Sequence, residues 1–115
     1  MTNNCIFCKI ATHQISSKIL YEDEEIMVFH DIHPQAPIHI LTIPKKHIAK
    51  IHDIKESDLQ LIGKIIYTAK TQAEKLGVHE SGYRMVLNNG RGGGQAVYHV
   101  HLHLLGGRQM SWPPG

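Results

Sequence analysis

The stretch His99-Val100-His101-Leu102-His103-Leu104-Leu105, closed by Gly106-Gly107, decides how the rest of this chain is read. Histidine alternates with valine and leucine at a period of two, the pattern of a β-strand. Side chains on a strand point alternately to opposite faces, so His99, His101 and His103 share one face. Tyr98, Val100, Leu102 and Leu104 fall on the other, which reads as a core face. Neighbouring imidazoles on such a strand stand ~6.6 Å apart, from a rise of ~3.3 Å per residue. They need not share one ligand at that spacing, yet all three line one small site. A lone histidine in a strand is ordinarily a surface residue or a hydrogen-bonded core one. Three on one face, opposite an apolar face, predict a site.

Working upstream, Asn88-Asn89-Gly90-Arg91-Gly92-Gly93-Gly94-Gln95 places four glycines in the loop before the triplet. Such a loop forms either a flexible hairpin or a nest of amides that cradles a phosphate. It is no Walker A loop, because the Lys-Ser/Thr ending and the following helix are missing. Its place directly before the triplet favours the phosphate reading. Further strands are predicted over 83–87, 19–22, 25–29 and 38–43, the last stopped by Pro44. The acidic run Glu22-Asp23-Glu24-Glu25 makes a solvated turn between two of them. Pro34 and Pro37 keep the loop 31–37 out of any helix. In the 38–43 strand, Ile38, Ile40 and Thr42 share one face and His39, Leu41 and Ile43 the other. His39 is thus a polar residue among strand apolars and a candidate partner of the triplet.

A long helix is predicted from Asp58 to Leu76, with Ser57 and Gln60 as a capping box and Gly77 at C′. Leu59, Ile62, Ile66, Ala69, Ala73 and Leu76 form an apolar stripe, and Leu61 and Ile65 a second flank. So wide an apolar surface means either deep burial or a subunit interface. In a chain of 115 residues little remains to cover both flanks, which favours the interface. Residues 6–10 read as a short helix over the sheet, and the Trp112-Pro113-Pro114 tail as a segment draped on the surface. The expectation is one α+β domain over 1–115, an antiparallel sheet packed by one long helix.

A net charge of +2 is too near balance to argue for a polyanion partner, so nucleic acid is not expected. No apolar run approaches the roughly 18 residues of a membrane span, and the opening residues lack the pattern of a secretory signal. A soluble, cytoplasmic protein is expected. Cys5 and Cys8 form a C-x-x-C without the βαβ context of a thioredoxin-like pair, and two ligands do not make a zinc site.

The constellation is rich in imidazole and poor in acid, Asp31 being the one convincing carboxylate near it. Two chemistries suit it. An imidazole can attack phosphorus and form a covalent intermediate that water splits, needing no general base near pH 7. Alternatively the three histidines ligate a catalytic metal, which leaves the glycine loop unexplained.

At these residues the chain resembles the histidine triad (HIT) family, and within it the Hint branch of nucleoside phosphoramidases. The resemblance rests on the triplet with Gly106-Gly107-Arg108-Gln109-Met110 and Trp112-Pro113-Pro114-Gly115. It extends through Phe29-His30-Asp31-Ile32, Pro34-Gln35-Ala36-Pro37, His39 and Ile43-Pro44-Lys45-Lys46-His47. It implies an antiparallel five-stranded sheet with one long helix and a short N-terminal helix, continued across a homodimer with the long helix at the interface. It implies a purine nucleoside monophosphate, or its phosphoramidate, as ligand, hydrolysed at a P–N bond without a catalytic cofactor. His101 would be the nucleophile, oriented by the His99 carbonyl, with His103 and His39 near the phosphate and leaving group. Gln95 and Gly94 would hold the phosphate and Asp31 the ribose hydroxyls. Phe7, Ile10, Phe29, Ile32 and Leu41 would wall the base, with Ile6 close by. Asn88 would touch the nucleotide, and Trp112 would border the partner's site.

Two features separate the chain from many Hint proteins. Ala96 stands where those carry a serine whose hydroxyl reaches the phosphate or leaving group. The N-terminal C-x-x-C matches relatives with a structural zinc, whose ligands here would be Cys5, Cys8, His47 and His99.

Overall fold

Each predicted strand finds a neighbour of opposite direction, and across the sheet the order is Ile19–Glu22, Ile26–His30, Ile38–Pro44, Leu102–Gly106, Tyr83–Val86. The computed structural model describes residues 4–115, so most of the opening stretch read for a secretory signal lies outside it. In chain order the elements are α1 (Ile6–Ala11), β1 (Ile19–Glu22), β2 (Ile26–His30), β3 (Ile38–Pro44), α2 (Leu59–Lys75), β4 (Tyr83–Val86) and β5 (Leu102–Gly106). All strand pairs are antiparallel. No described helix is long and apolar enough to cross a membrane.

The period of two in β3 sorts its residues as expected. Ile40 joins Ile26, Val28, Leu102 and Leu104 against Ile65, Ala69 and Ala73 of α2. Leu41 and Ile43 join Met27 and Phe29 against Phe7, Ile10 and Ala11 of α1 on the other face. A sheet covered on both faces needs apolar residues at successive positions, which is why Ile26 to Phe29 are all buried. Between β1 and β2 the acidic run makes its turn through Asp23, whose Oδ1 accepts the amides of Glu25 (2.8 Å) and Ile26 (2.9 Å).

Four expectations are corrected. Strand ends shift by a residue: β2 begins at Ile26, not Glu25, and reaches His30, β3 takes in Pro44 instead of stopping before it, and β4 ends at Val86, not Leu87. The histidine strand is paired only from Leu102; His99 and His101 precede it, because Val100 N–H bonds Ile48 O (2.7 Å) instead of a ladder partner. Tyr98 is therefore 45% exposed and not part of the core face, while Val100, Leu102 and Leu104 are buried. Finally, Asp58 and not Ser57 stands at the start of α2. Its carboxylate accepts Lys55 N–H (2.9 Å) and Lys46 Nζ (2.7 Å) across a one-turn 3-10 segment.

The far end of α2 closes as read. Gly77 takes φ +77°, its N–H bonds Glu74 O, and Val78 N–H reaches back to Ala73 O. This pair of bonds is a Schellman motif, and it delivers Val78 into the core. Of the predicted apolar stripe, Ala69 and Ala73 are buried together with the flank residue Ile65. Leu59 and Ile66 remain 63% and 44% exposed, beside Tyr67 at 66%. The apolar surface is thus divided between the core and a bare face.

Candidate active site and metal centre

Where α1 lies across β2 and β3, a cleft of about 400 Å³ opens beside the histidines. Phe7 and Ile10 from α1, Phe29 from β2 and Leu41 from β3 form its apolar wall, with Ile6 and Ile32 at the rim. Asp31, Asn88, Gly94, Ala96, His101 and His103 also line it. The Phe7 ring stands edge-on to Phe29 (5.5 Å between centroids) and to His101 (5.0 Å). The His101 and His103 rings converge to 4.9 Å, closer than the ~6.6 Å given by strand rise.

Hydrogen bonds fix which nitrogen of each ring carries its proton. His101 Nδ1–H donates to His99 O at 2.7 Å, which leaves Nε2 as a lone pair. Gln35 N–H donates to His39 Nδ1 (3.0 Å), so a neutral His39 holds its proton on Nε2. That proton faces His103 Nδ1 at 2.9 Å and Asp31 Oδ2 at 3.3 Å. With Nδ1 accepting, His103 in turn keeps its own proton on Nε2. The set therefore offers one imidazole lone pair, on His101, beside one imidazole donor, on His103.

Burial keeps these rings neutral. It pushes His103 down to about 4, helped by His101 and His39 and opposed by the Asp31 carboxylate. His101 and His39 lie below the usual histidine range, again through burial, with Asp31 acting against it. A neutral imidazole at pH 7 can attack without a base to unmask it.

Metal ligation by the triplet finds no common point, because the three Nδ1 atoms have different partners. Asp31, His39 and His103 do approach closely enough to hold an ion. The Gln35 N–H at His39 Nδ1 argues against it, since a neutral ring bonded there carries a proton where the ion would sit. His99 belongs to another centre. Its Nε2–H donates to Pro44 O (2.7 Å), aiming the Nδ1 lone pair at Cys5 Sγ (3.3 Å), Cys8 Sγ (3.4 Å) and His47 Nδ1 (3.2 Å). Cys8 Sγ lies 3.3 Å from His47 Nδ1. Around a tetrahedral zinc, sulfur and nitrogen donors stand about 3.3–3.6 Å apart, so this donor set fits that ion. The Pro44 carbonyl is the outer partner a metal-bound imidazole requires.

The model of the HIT domain matches residues 12–110. The chain belongs to the HIT family. It is 49% identical over 112 residues to a "14 kDa zinc-binding protein" of Zea mays, covering 96% of this chain and 87% of that one. A HIT family hydrolase from Legionella pneumophila superimposes with a TM-score of 0.96 at 56% identity, over 97% of this chain and 100% of that one. A histidine triad nucleotide-binding protein from Candida albicans gives 0.80 at 38% identity, over 95% and 82%.

Of the residues assigned from the HIT resemblance, His39, His99, Gln95 and Trp112 do not line this cleft of their own chain; His39 stands behind His103, and His99 faces the cysteines. The Gln95 side chain is buried in bonds to Gly90 N, Ala49 O and Val97 O, so it shapes the glycine loop. The loop amides of Gly93, Gly94 and Gln95 also point inward, to Gly90 and Arg91 carbonyls. They close a hydrogen-bonded turn and not an open nest. Trp112 is 80% exposed, held with the tail through Arg84, whose guanidinium lies 5.9 Å over its ring and donates to Ser111 O. Conversely, Ile15, Ser16, Ser17, His30, His33 and Val97 line the cleft without having been singled out. Val97 follows Ala96 and was within reach of the same reading. The serines sit in an irregular link and carry no sequence signal.

Proposed function

We propose that this HIT protein is a purine nucleoside 5′-phosphoramidate hydrolase of the Hint branch, cleaving AMP-amines through a nucleotidyl-His101 intermediate. The observation that carries the reading is the bond from His101 Nδ1–H to His99 O, which leaves Nε2 as an attacking lone pair in the cleft. The purine lies between Phe7, Ile10, Phe29, Ile32 and Leu41, and Asp31 accepts the ribose hydroxyls. Asn88, Gly94 and Ala96 stand beside the phosphate. His101 Nε2 bonds to phosphorus as the P–N bond breaks, and the amine departs with that electron pair and a proton. His103, oriented by His39, donates from Nε2 to this region. Water then splits the P–His bond, giving AMP and the free imidazole.

Cys5, Cys8, His47 and His99 hold a structural zinc in this reading, with no catalytic cofactor. The name of the Zea mays relative supports the metal. When bound, the ion ties segments together and supplies no chemistry to the phosphate. The bare Leu59, Ile66 and Tyr67 surface of α2 is where a second copy joins as a homodimer. In the dimer Trp112 borders the partner's cleft. A cytoplasmic setting belongs to the proposal, with a small nucleotide and neither nucleic acid nor membrane as partner. Two cysteines retained as thiol ligands suit a reducing compartment.

Ala96 favours one second reading, a nucleotide-binding regulatory module with vestigial catalysis. Quenching an AMP-amine reaction in acid-free denaturant and weighing the protein separates the two. An AMP adduct on His101, absent in His101→Asn, is the expected result. Steady hydrolysis without any adduct, or adduct on another residue, would sink the proposal.

A further inference from the structure

His99 serves two sites at once. Its ring faces Cys5, Cys8 and His47 at 3.2–3.4 Å, and its carbonyl holds the His101 Nδ1–H at 2.7 Å. The peptide bearing that carbonyl lies outside the sheet, since β3–β5 pairing begins at Thr42 and Leu102. It is fixed instead by Val100 N–H on Ile48 O, by the His99 ring on Pro44 O, and by the cluster around His99 Nδ1. On the other side Phe7 sits between the two cysteines on α1. A helix of six residues does not persist by itself, and the cysteines are among the groups that could anchor it. The Phe7 ring lies 5.0 Å from that of His101 and 6.1 Å from that of His99. The four donors thus join three segments, and the nucleophile is clamped between two of them, a carbonyl on one side and an aromatic edge on the other.

We propose that the Cys5–Cys8–His47–His99 centre is the positioning device of the nucleophile, so that zinc occupancy sets the rate of the covalent step as well as stability. The inference rests on the proposed role of His101. Cys5, Cys8 and His47 are positioning residues; none lines the nucleotide cleft. Two thiolates and a divalent cation make a centre without net charge, which its half-buried and buried donors tolerate. Removing the ion unties α1 from the His99 peptide and leaves the His101 ring free to turn.

The test compares the full chain loaded with zinc, the same protein after dialysis against a chelator, and the depleted protein reloaded with zinc. Three quantities are followed: the His101 Nδ1–H resonance, the Kd for AMP, and the single-turnover rate of adduct formation from an AMP-amine. Depletion is expected to broaden the resonance and slow the turnover at least about thirty-fold, while AMP binding weakens less than about ten-fold. Zinc restores all three. A depleted, folded protein that keeps the resonance and a rate within about three-fold of the loaded one overturns the inference. If depletion unfolds the chain, zinc-loaded Cys8→Asp replaces it, with an oxygen ligand for a sulfur. That variant is expected to show a moved resonance and a rate at least about three-fold lower at unchanged AMP affinity; no change in either overturns the inference. Absence of any adduct in the loaded parent would instead remove the hydrolase reading, and the Nδ1–H resonance would still decide the coupling.

Discussion

At the residue scale, the proposed hydrolase has Ala96 where Hint proteins carry a serine. A hydrogen bond to a charged group is worth about 1.5–3 kcal/mol, which corresponds to roughly one or two decades in rate. Ala96→Ser is therefore expected to raise kcat/KM on an AMP-amine about ten-fold or more. A variant no faster than the parent would show that the hydroxyl has no part in this cleft. His103 makes a second prediction. The unfolded chain takes up its proton near the ordinary value of about 6.5, and the folded one only near about 4. The contribution is thus fully present above pH 6.5 and is lost as the pH falls toward 4. Denaturant unfolding of His103→Asn is expected to fall less steeply over that window than unfolding of the parent; equal slopes would contradict the assignment.

The start of α2 and the histidine strand show what a single element can and cannot hide. Ser57 with Gln60 has the form of a capping box, yet the bond to the Lys55 amide comes from Asp58, which is 3% exposed. Asp58 holds the N-cap position of α2 without a side-chain bond into that helix; its carboxylate closes the 3-10 turn over Glu56–Asp58 and accepts from Lys46, which lies beyond β3. Asp58→Ala is expected to cost about 1–2 kcal/mol in urea unfolding, against less than about 0.5 for Ser57→Ala. The reverse order would restore the serine cap. In the histidine stretch the alternation correctly placed His101 and His103 beside one cleft. It did not reveal that pairing stops at Leu102, because the Ile48 carbonyl that captures Val100 lies far away in sequence.

For the whole molecule, the question is what covers the exposed apolar face of α2. Leu59 and Ile66 continue the stripe of Ala69 and Ala73 along the helix, yet both stay largely exposed. A charge there is harmless to a monomer and costly in an interface. Ile66→Glu is expected to convert a dimer to a monomer in sedimentation while leaving the fold intact by circular dichroism. A parent that sediments as a monomer would remove the homodimer from the proposal.

The chain's own pattern determined the strands of the sheet, the long helix with its Gly77 stop, the two faces of β3 and the gathering of histidines. These follow from periods of two and 3.6 and from glycine conformation, which are local properties. Periodicity left the proton positions open. They depend on the carbonyls of His99 and Pro44 and the amide of Gln35, backbone groups aimed by tertiary packing. Packing likewise sent the first triad ring to the cysteines and the next two to the cleft, turned the Gln95 side chain into its own loop, and left Trp112 against Arg84. Only contacts between residues distant in sequence could divide one row of identical side chains between a cluster with two cysteines and an apolar-walled cleft.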